Sequence, residues 1–146
     1  MDEIPRRLTA KPSWLINQLS VHSRRLVSDA FAAAGARGYH YRLLAALHES
    51  GPASQAELGR RGRVDRSDVV AAINELAAQG YVERTPDPDH GRRNRITLTP
   101  EGARRLRDMD DVLDQVQDDL LGPLSAGDRE TLTRLLGRVL AHHEQG

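Results

Sequence analysis

Residues 54–99, SQAELGRRGRVDRSDVVAAINELAAQGYVERTPDPDHGRRNRITLT, read as two short helices joined by a tight turn, then a hairpin with arginine at its tip. Ser54 followed three residues later by Glu57 is a capping-box pattern, in which each side chain satisfies an orphan backbone N–H at a helix start. Leu58 and Ala56 supply a small apolar side, and Arg60, Arg61 and Arg63 crowd the exit. A second start follows at Asp65, whose carboxylate is placed to cap the helix, with Asp68 in the first turn where the helix dipole favours negative charge. This helix is expected to run to about Gln79, and Gly80 ends it.

Val69, Ile73 and Leu76 recur at spacings of four and three, the buried stripe of an amphipathic helix. With that stripe facing a core, Arg66, Ser67, Val70, Ala71 and Asn74 fall on the opposite face. Their chemistry suits a major groove. Arginine forks onto guanine O6 and N7, asparagine pairs adenine, and an exposed valine or alanine touches a thymine methyl. A merely solvated face is the alternative. Two small residues that leave room for a groove, with arginines flanking the helix where phosphates would lie, favour the DNA reading.

The prolines and glycine of Pro86-Asp87-Pro88-Asp89-His90-Gly91 cannot belong to a helix, and Arg95-Ile96-Thr97-Leu98 alternates polar with apolar, so a hairpin with a long tip is expected. From Arg84 to Arg95, the arginines Arg84, Arg92, Arg93 and Arg95 oppose Asp87 and Asp89. An arginine on such a projecting loop can enter a minor groove, where the negative potential is deepest over A·T tracts. Two helices and a basic hairpin in this order predict a winged helix-turn-helix that reads double-stranded DNA. Arg92 is the candidate for the minor groove, and Ser54, Gln55, Arg60, Arg61, Arg63, Arg84, Arg93 and Arg95 are the candidates for the DNA backbone.

The ordered set Ser54-x-x-Glu57-Leu58, Asp65-Arg66-Ser67-x-Val69, Leu76-x-x-x-Gly80-Tyr81-Val82, Arg92 and Leu98-Thr99-Pro100-x-Gly102 resembles the MarR family of bacterial transcriptional regulators, over residues 38–106. The resemblance implies a homodimer with one winged helix-turn-helix per subunit, binding a palindromic operator, with binding often relieved by a small molecule. Two positions depart from the family pattern. His90 stands where the wing usually has the aspartate of Asp-x-Arg, and Gly62-Arg63 replaces an apolar residue followed by glycine in the turn.

The flanks fit a dimerisation frame. From Ser13, the expected N-cap, to about Ala34, the residues Trp14, Leu15, Leu19, His22, Leu26 and Ala30 recur with helical spacing, and Gly35 and Gly38 end the run. Tyr39 to Ser50 is a second helix, with Tyr39, Leu43, Leu44 and Leu47 on one side and Gly51-Pro52 stopping it. After Pro100 a long helix runs through Leu106, Met109, Leu113, Val116 and Leu120 to a break at Gly122-Pro123. A last helix from the Ser125 cap carries Leu132, Leu135, Leu136, Val139 and Leu140. Such stripes usually mean packing. Terminal helices with little to pack on in so small a domain are expected to pair with a second subunit. The expected architecture is mainly α with a small β-hairpin wing, as one domain over 1–146: a winged helix-turn-helix at 38–99, and dimerisation helices at 13–34 and 100–143.

Composition sets outer limits. The 146 residues suit one domain, 29% of them charged and 38% hydrophobic, with no apolar run for a signal peptide or a membrane span, so a cytoplasmic protein is expected. With no cysteine there is no disulfide, thiolate zinc site or thiol redox sensor, which removes the peroxide-sensing branch of the resembled family. The net charge of zero divides into +3 over residues 1–53, +3 over 54–107 and −6 over 108–146, the acid lying at Asp108, Asp110, Asp111, Asp114, Asp118 and Asp119. A basic floor and an acidic roof would orient the molecule on DNA, although a solvated helix face explains the acidic run equally well.

No phosphate loop, nucleophile elbow or His-Glu-x-x-His motif occurs, so neither catalytic residues nor a cofactor are expected. His142 and His143 are adjacent and so point apart on a helix, and His40 and His48 would need further ligands, so no metal site is expected either. Trp14, Gln18, His22 and Arg25 share one face of the first helix, mixing a flat ring with polar and cationic groups that would suit an aromatic carboxylate or other small organic anion. Tyr39 and His40, with Arg42, are further ligand candidates from the second helix. The resemblance implies that effectors bind between the dimerisation helices and the winged unit. Two other functions stay open: a winged-helix protein-interaction module, and a constitutive DNA binder without an effector.

Overall fold

Leu43, Leu44 and Leu47 carry the centre of the molecule because their spacing puts them on one side of a helix that both helices of the helix-turn-helix and the second strand of the wing pack against. The computed structural model describes residues 3–89, 91 and 94–145. Helix α1 (Arg6–Thr9) precedes the long α2 (Pro12–Ala33), and the central helix is α3 (Gly38–Ser50). Then come α4 (Gln55–Gly62) and α5 (Arg66–Ala78), the strands β1 (Val82–Pro86) and β2 (Asn94–Leu98), and the long helices α6 (Pro100–Leu120) and α7 (Ala126–Glu144). The antiparallel strands pair from Val82 opposite Leu98 to Pro86 opposite Asn94, and Ala53 bridges Ile96 as a short third rung.

Leu58 of α4, Ile73 and Leu76 of α5, Ile96 of β2 and Met109 of α6 close on α3, each 1% exposed or less. Burying side chains of this size contributes about 1.5 to 3 kcal/mol each, which is what holds two helices as short as α4 and α5 in place. The motif around Gly102 also has a physical reason. A Cβ there would lie 2.0 Å from the Tyr81 carbonyl oxygen, so only glycine lets the first turn of α6 cross the start of the wing. Thr99 secures that crossing: its Oγ1 donates to the Gly80 carbonyl at 2.6 Å and accepts from the Gly102 N–H at 3.0 Å.

Three local expectations change. α2 starts two residues early, with Lys11 at the cap position and Pro12 in the first turn, so Ser13 is inside the helix rather than its cap. Proline preorganises that first turn without a cap because its missing N–H is one of the orphans. Asp65 occupies the cap position of α5, but its side chain accepts no capping hydrogen bond. Ser54 and Ser125 do cap, accepting from the Glu57 N–H at 3.2 Å and the Asp128 N–H at 3.1 Å. The short α1 has no counterpart in the sequence reading.

The stripe on α2 is only half used. Phe31 is buried against α3, whereas Leu19 is 55% exposed and His22 is also exposed. Helix α7 has no buried residue, and Leu135, Leu136, Val139 and Leu140 stand 44 to 57% exposed. Among the described residues, no helix is long and apolar enough to cross a membrane.

Candidate nucleic-acid interface

Helix α5 sorts its side chains by period. Val69, Ala72, Ile73 and Leu76 are buried, and Arg66, Ser67, Val70, Ala71 and Asn74 are all exposed on the other side. Val70 is 48% exposed, so it gains little of the burial free energy that its neighbours gain and is available to an apolar partner. Among the described residues, Arg66 and Ser67 make no ion pair and no side-chain hydrogen bond. The buried side of α5 is fixed from beneath by His40 of α3, whose Nε2 lies 2.7 Å from Glu75 Oε2. His40 is 7% exposed and engaged with that carboxylate, so it acts in packing α3 on α5 and is not free for a ligand.

Asn74 does not stand free either. Its Oδ1 accepts a hydrogen bond from Arg84 Nη2 on β1, so the strand and the helix are clamped together. The amide oxygen that a two-point adenine contact needs is therefore turned to the wing, and the NH₂ group is left as the donor. Arg84 is correspondingly drawn away from a phosphate role. Arg95 is half-buried opposite Thr85, whose Oγ1 donates to its carbonyl at 3.4 Å. At the wing tip the Asp89 N–H donates to Asp87 Oδ1 at 2.9 Å, a local turn stabilised by a side chain. The wing residues Arg92, Arg93 and His90 lie outside the described residues.

Around the start of α4, Ser54 and Gln55 are half-buried, and Ser54 Oγ is already the acceptor for its cap. Arg60 and Arg61 are exposed, with Arg61 3.6 Å from Glu57. Arg63 occupies the turn in a left-handed conformation, φ 54° and ψ 50°, at the position where the sequence lacks the usual glycine. Its Nη1 meets Glu144 Oε1 of α7 at 2.7 Å, and each group shifts the other toward its charged form, raising the arginine and lowering the carboxyl. Arg63 is thus engaged within the chain rather than directed at a phosphate.

The expected ligand face on α2 is not drawn together as a pocket. Trp14 is half-buried, Gln18, His22 and Arg25 are exposed, and Arg25 Nη2 lies 3.4 Å from His22 Nδ1. A cleft of about 540 Å³ opens instead on another side of α2, where it meets the start of α3. Val27, Phe31 and Ala36 form its apolar wall, and Arg24, Arg37 and Tyr39 its polar rim. Arg37 Nη1 donates to the Tyr39 hydroxyl while its guanidinium carbon sits 5.7 Å from that ring's centroid, and the hydrogen bond raises the arginine further. Tyr39 is the one sequence candidate that lines this cleft. Arg24 and Arg37 were missed; the signal was Arg24, Val27 and Phe31 at helical spacing with Arg37-x-Tyr39 following the glycine turn. Among the described residues, no group of three or more His, Asp or Glu side chains could hold a metal ion.

The MarR family pattern matches residues 36–93, from the start of α3 to the wing. The HTH-type transcriptional repressor NicR of Pseudomonas putida is 34% identical over 101 residues, 69% of this chain and 64% of NicR, so the chain spans less than two thirds of that relative's length. A probable transcriptional regulator from Pseudomonas aeruginosa superposes with a TM-score of 0.74 at 28% identity, over 90% of this chain and 98% of that one. The PcaV transcriptional regulator from Streptomyces coelicolor, solved in complex with its natural ligand, superposes with a TM-score of 0.72 at 26% identity, over 97% of this chain and 98% of PcaV. The family pattern falls on the helix-turn-helix and wing, and the structural likeness carries through the flanking helices, so the likeness is not confined to a shared motif: the chain belongs to the MarR family.

Proposed function

We propose that the protein is a homodimeric, sequence-specific DNA-binding transcriptional regulator of the cytoplasm, a repressor released by a small organic effector. The observation that carries this reading is the outer face of α5, where Arg66, Ser67, Val70, Ala71 and Asn74 project from a helix whose opposite side is fully buried. In that role Arg66 forks onto a guanine and Ser67 bonds a neighbouring base. Val70 and Ala71 meet thymine methyls, and Asn74 offers its N–H to a base acceptor while Arg84 holds its oxygen. Arg92 enters the flanking minor groove, and Ser54, Gln55, Arg60, Arg61, Arg93 and Arg95 hold the backbone.

The domain is one unit, a winged module at 38–99 between dimerisation helices at 13–34 and 100–143. The exposed Ile16, Leu19 and Val21 of α2 and the Leu135 to Leu140 stripe of α7 are the surface that a second copy covers. A twofold partner sets two α5 helices into major grooves about 34 Å apart, which calls for a palindromic operator.

The effector sits in the cleft between α2 and α3, its ring against Val27 and Phe31 and its anionic group toward Arg24 and Arg37. The volume, about 540 Å³, suits a small organic molecule. NicR is a repressor by name and PcaV was solved with a natural ligand, which supports a ligand-relieved repressor. Tyr39 lines the cleft and the next residue, His40, holds Glu75 of α5, so a ligand that prefers one placement of α3 biases the reading helix.

The test is retention of short genomic fragments, the protein's own upstream region included, at several salt concentrations. Saturable, selective retention that weakens steeply with salt is expected. Equal retention of all fragments, or none, would favour a protein-interaction module.

A further inference from the structure

We propose that the Arg63–Glu144 pair is a tie that fixes the far end of α7 to the helix-turn-helix and so positions the reading helix relative to the dimerisation helices. The proposal rests on the DNA-binding reading for its functional consequence, and on the geometry of the frame for its physical basis.

Helix α6 leaves the winged unit beside the C-terminal end of α5, where Thr99 bonds Gly80. Its 21 residues carry the chain about 30 Å away at the helical rise. The corner after it is held by Arg129, which meets Asp118 Oδ1 at 2.6 Å and donates through Nε to the Leu124 carbonyl at 3.2 Å. The 19 residues of α7 then return a comparable distance, and Glu144 in its last turn reaches Arg63, which stands just before α5. Two helices and the winged unit thus close a frame. No residue of α7 is buried, so the ion pairs near its two ends fix it within the chain.

The Arg63 end is well placed to transmit a position. The Arg63 backbone is locked on its inner side, where its carbonyl accepts from Arg42 Nη1 of α3 at 3.0 Å and where Gly62 lies against the Arg42 backbone. A left-handed conformation is unfavourable for arginine and persists where the surroundings over-determine it. Glycine would adopt it freely but has no guanidinium with which to meet Glu144. Three residues further on, Arg66 opens α5 and the base-reading face begins. A partner helix lying against the apolar stripe of α7 would therefore be registered to both ends of α5, through α6 at one end and Glu144 at the other.

The full-length variants E144Q, R63Q and the reversed pair R63E/E144R test the tie on the operator fragment. E144Q and R63Q should each weaken operator binding about two- to fivefold with the salt dependence unchanged, and the reversed pair should recover affinity to within about twofold. The effect is modest because both side chains are largely exposed, 63% and 44%, and exposed ion pairs are weak. If E144Q instead tightens binding and R63Q lowers the salt slope by about one, Arg63 is a phosphate contact that Glu144 masks, and the tie is overturned. Amide hydrogen exchange of the free protein gives a reading independent of DNA. E144Q should speed exchange in the first turn of α5 and the last turn of α7 and leave the middle of α6 unchanged. Unchanged exchange at both ends overturns the tie even if the protein binds no DNA.

Discussion

Arg66 and Tyr41 show how far single side chains carry the account. Arg66→Ala removes an exposed group from the first turn of α5, so stability should hold while operator affinity falls by about 1 to 3 kcal/mol and preference relaxes at one base pair. Titrations on operators changed one position at a time check this; an equal loss on every sequence would make Arg66 a phosphate contact. Tyr41 donates to Asp110 Oδ1 at 2.7 Å and stacks on Phe31 with centroids 5.9 Å apart. Burial first, then that hydrogen bond, pushes its phenol up to about 12. The folded protein therefore holds this proton more tightly than the unfolded chain does. The stabilisation is complete below about pH 10, the unperturbed tyrosine value, and is lost as pH rises from there through about 12. Tyr41→Phe should cost about 1 kcal/mol at pH 8 and flatten the alkaline fall, which thermal melts between pH 8 and 12 would show. The outward side of α5 was legible in the sequence because a helical period assigns faces without reference to anything else. The clamp of Arg84 on Asn74 was not, since it joins a helix to a strand, and neither was the pairing of Arg63 with a residue 81 positions away.

At the scale of elements, the junction between wing and α6 is the least forgiving. Gly102→Ala would drive a Cβ to within 2.0 Å of a backbone oxygen and 2.7 Å of Leu98 Cδ1, where neither the turn nor the helix can easily yield. The expected loss is about 3 kcal/mol, read by chemical denaturation, with the wing displaced from α5. A variant as stable as wild type would show that α6 can shift without cost and would undercut its part in placing the wing. Helix boundaries were legible where a cap and a glycine bracket the run, as at Ser54 and Gly80, and less so at α2, where proline replaces the cap. The cleft between α2 and α3 was hidden because it belongs to neither helix alone: the periodicity of α2 pointed to Trp14, Gln18, His22 and Arg25, while the cavity opens where α3 leans on another side.

The whole molecule divides its labour by charge and by packing. The core gathers around α3, and the acidic run lies along α6. The apolar stripe of α7 stands exposed, and the proposed second copy would cover it. In the proposed dimer the spacing of the two reading helices would select the operator together with their side chains, and a ligand would act by preferring one spacing. Selection of bound duplexes from a randomised pool by the full-length protein tests this most directly, since it presumes neither an operator nor an effector. The account predicts enrichment of a twofold-symmetric sequence whose half-sites lie about one helical turn apart, with the half-site preference relaxed at one position by Arg66→Ala. Enrichment of no sequence, or of a single half-site without symmetry, would contradict it.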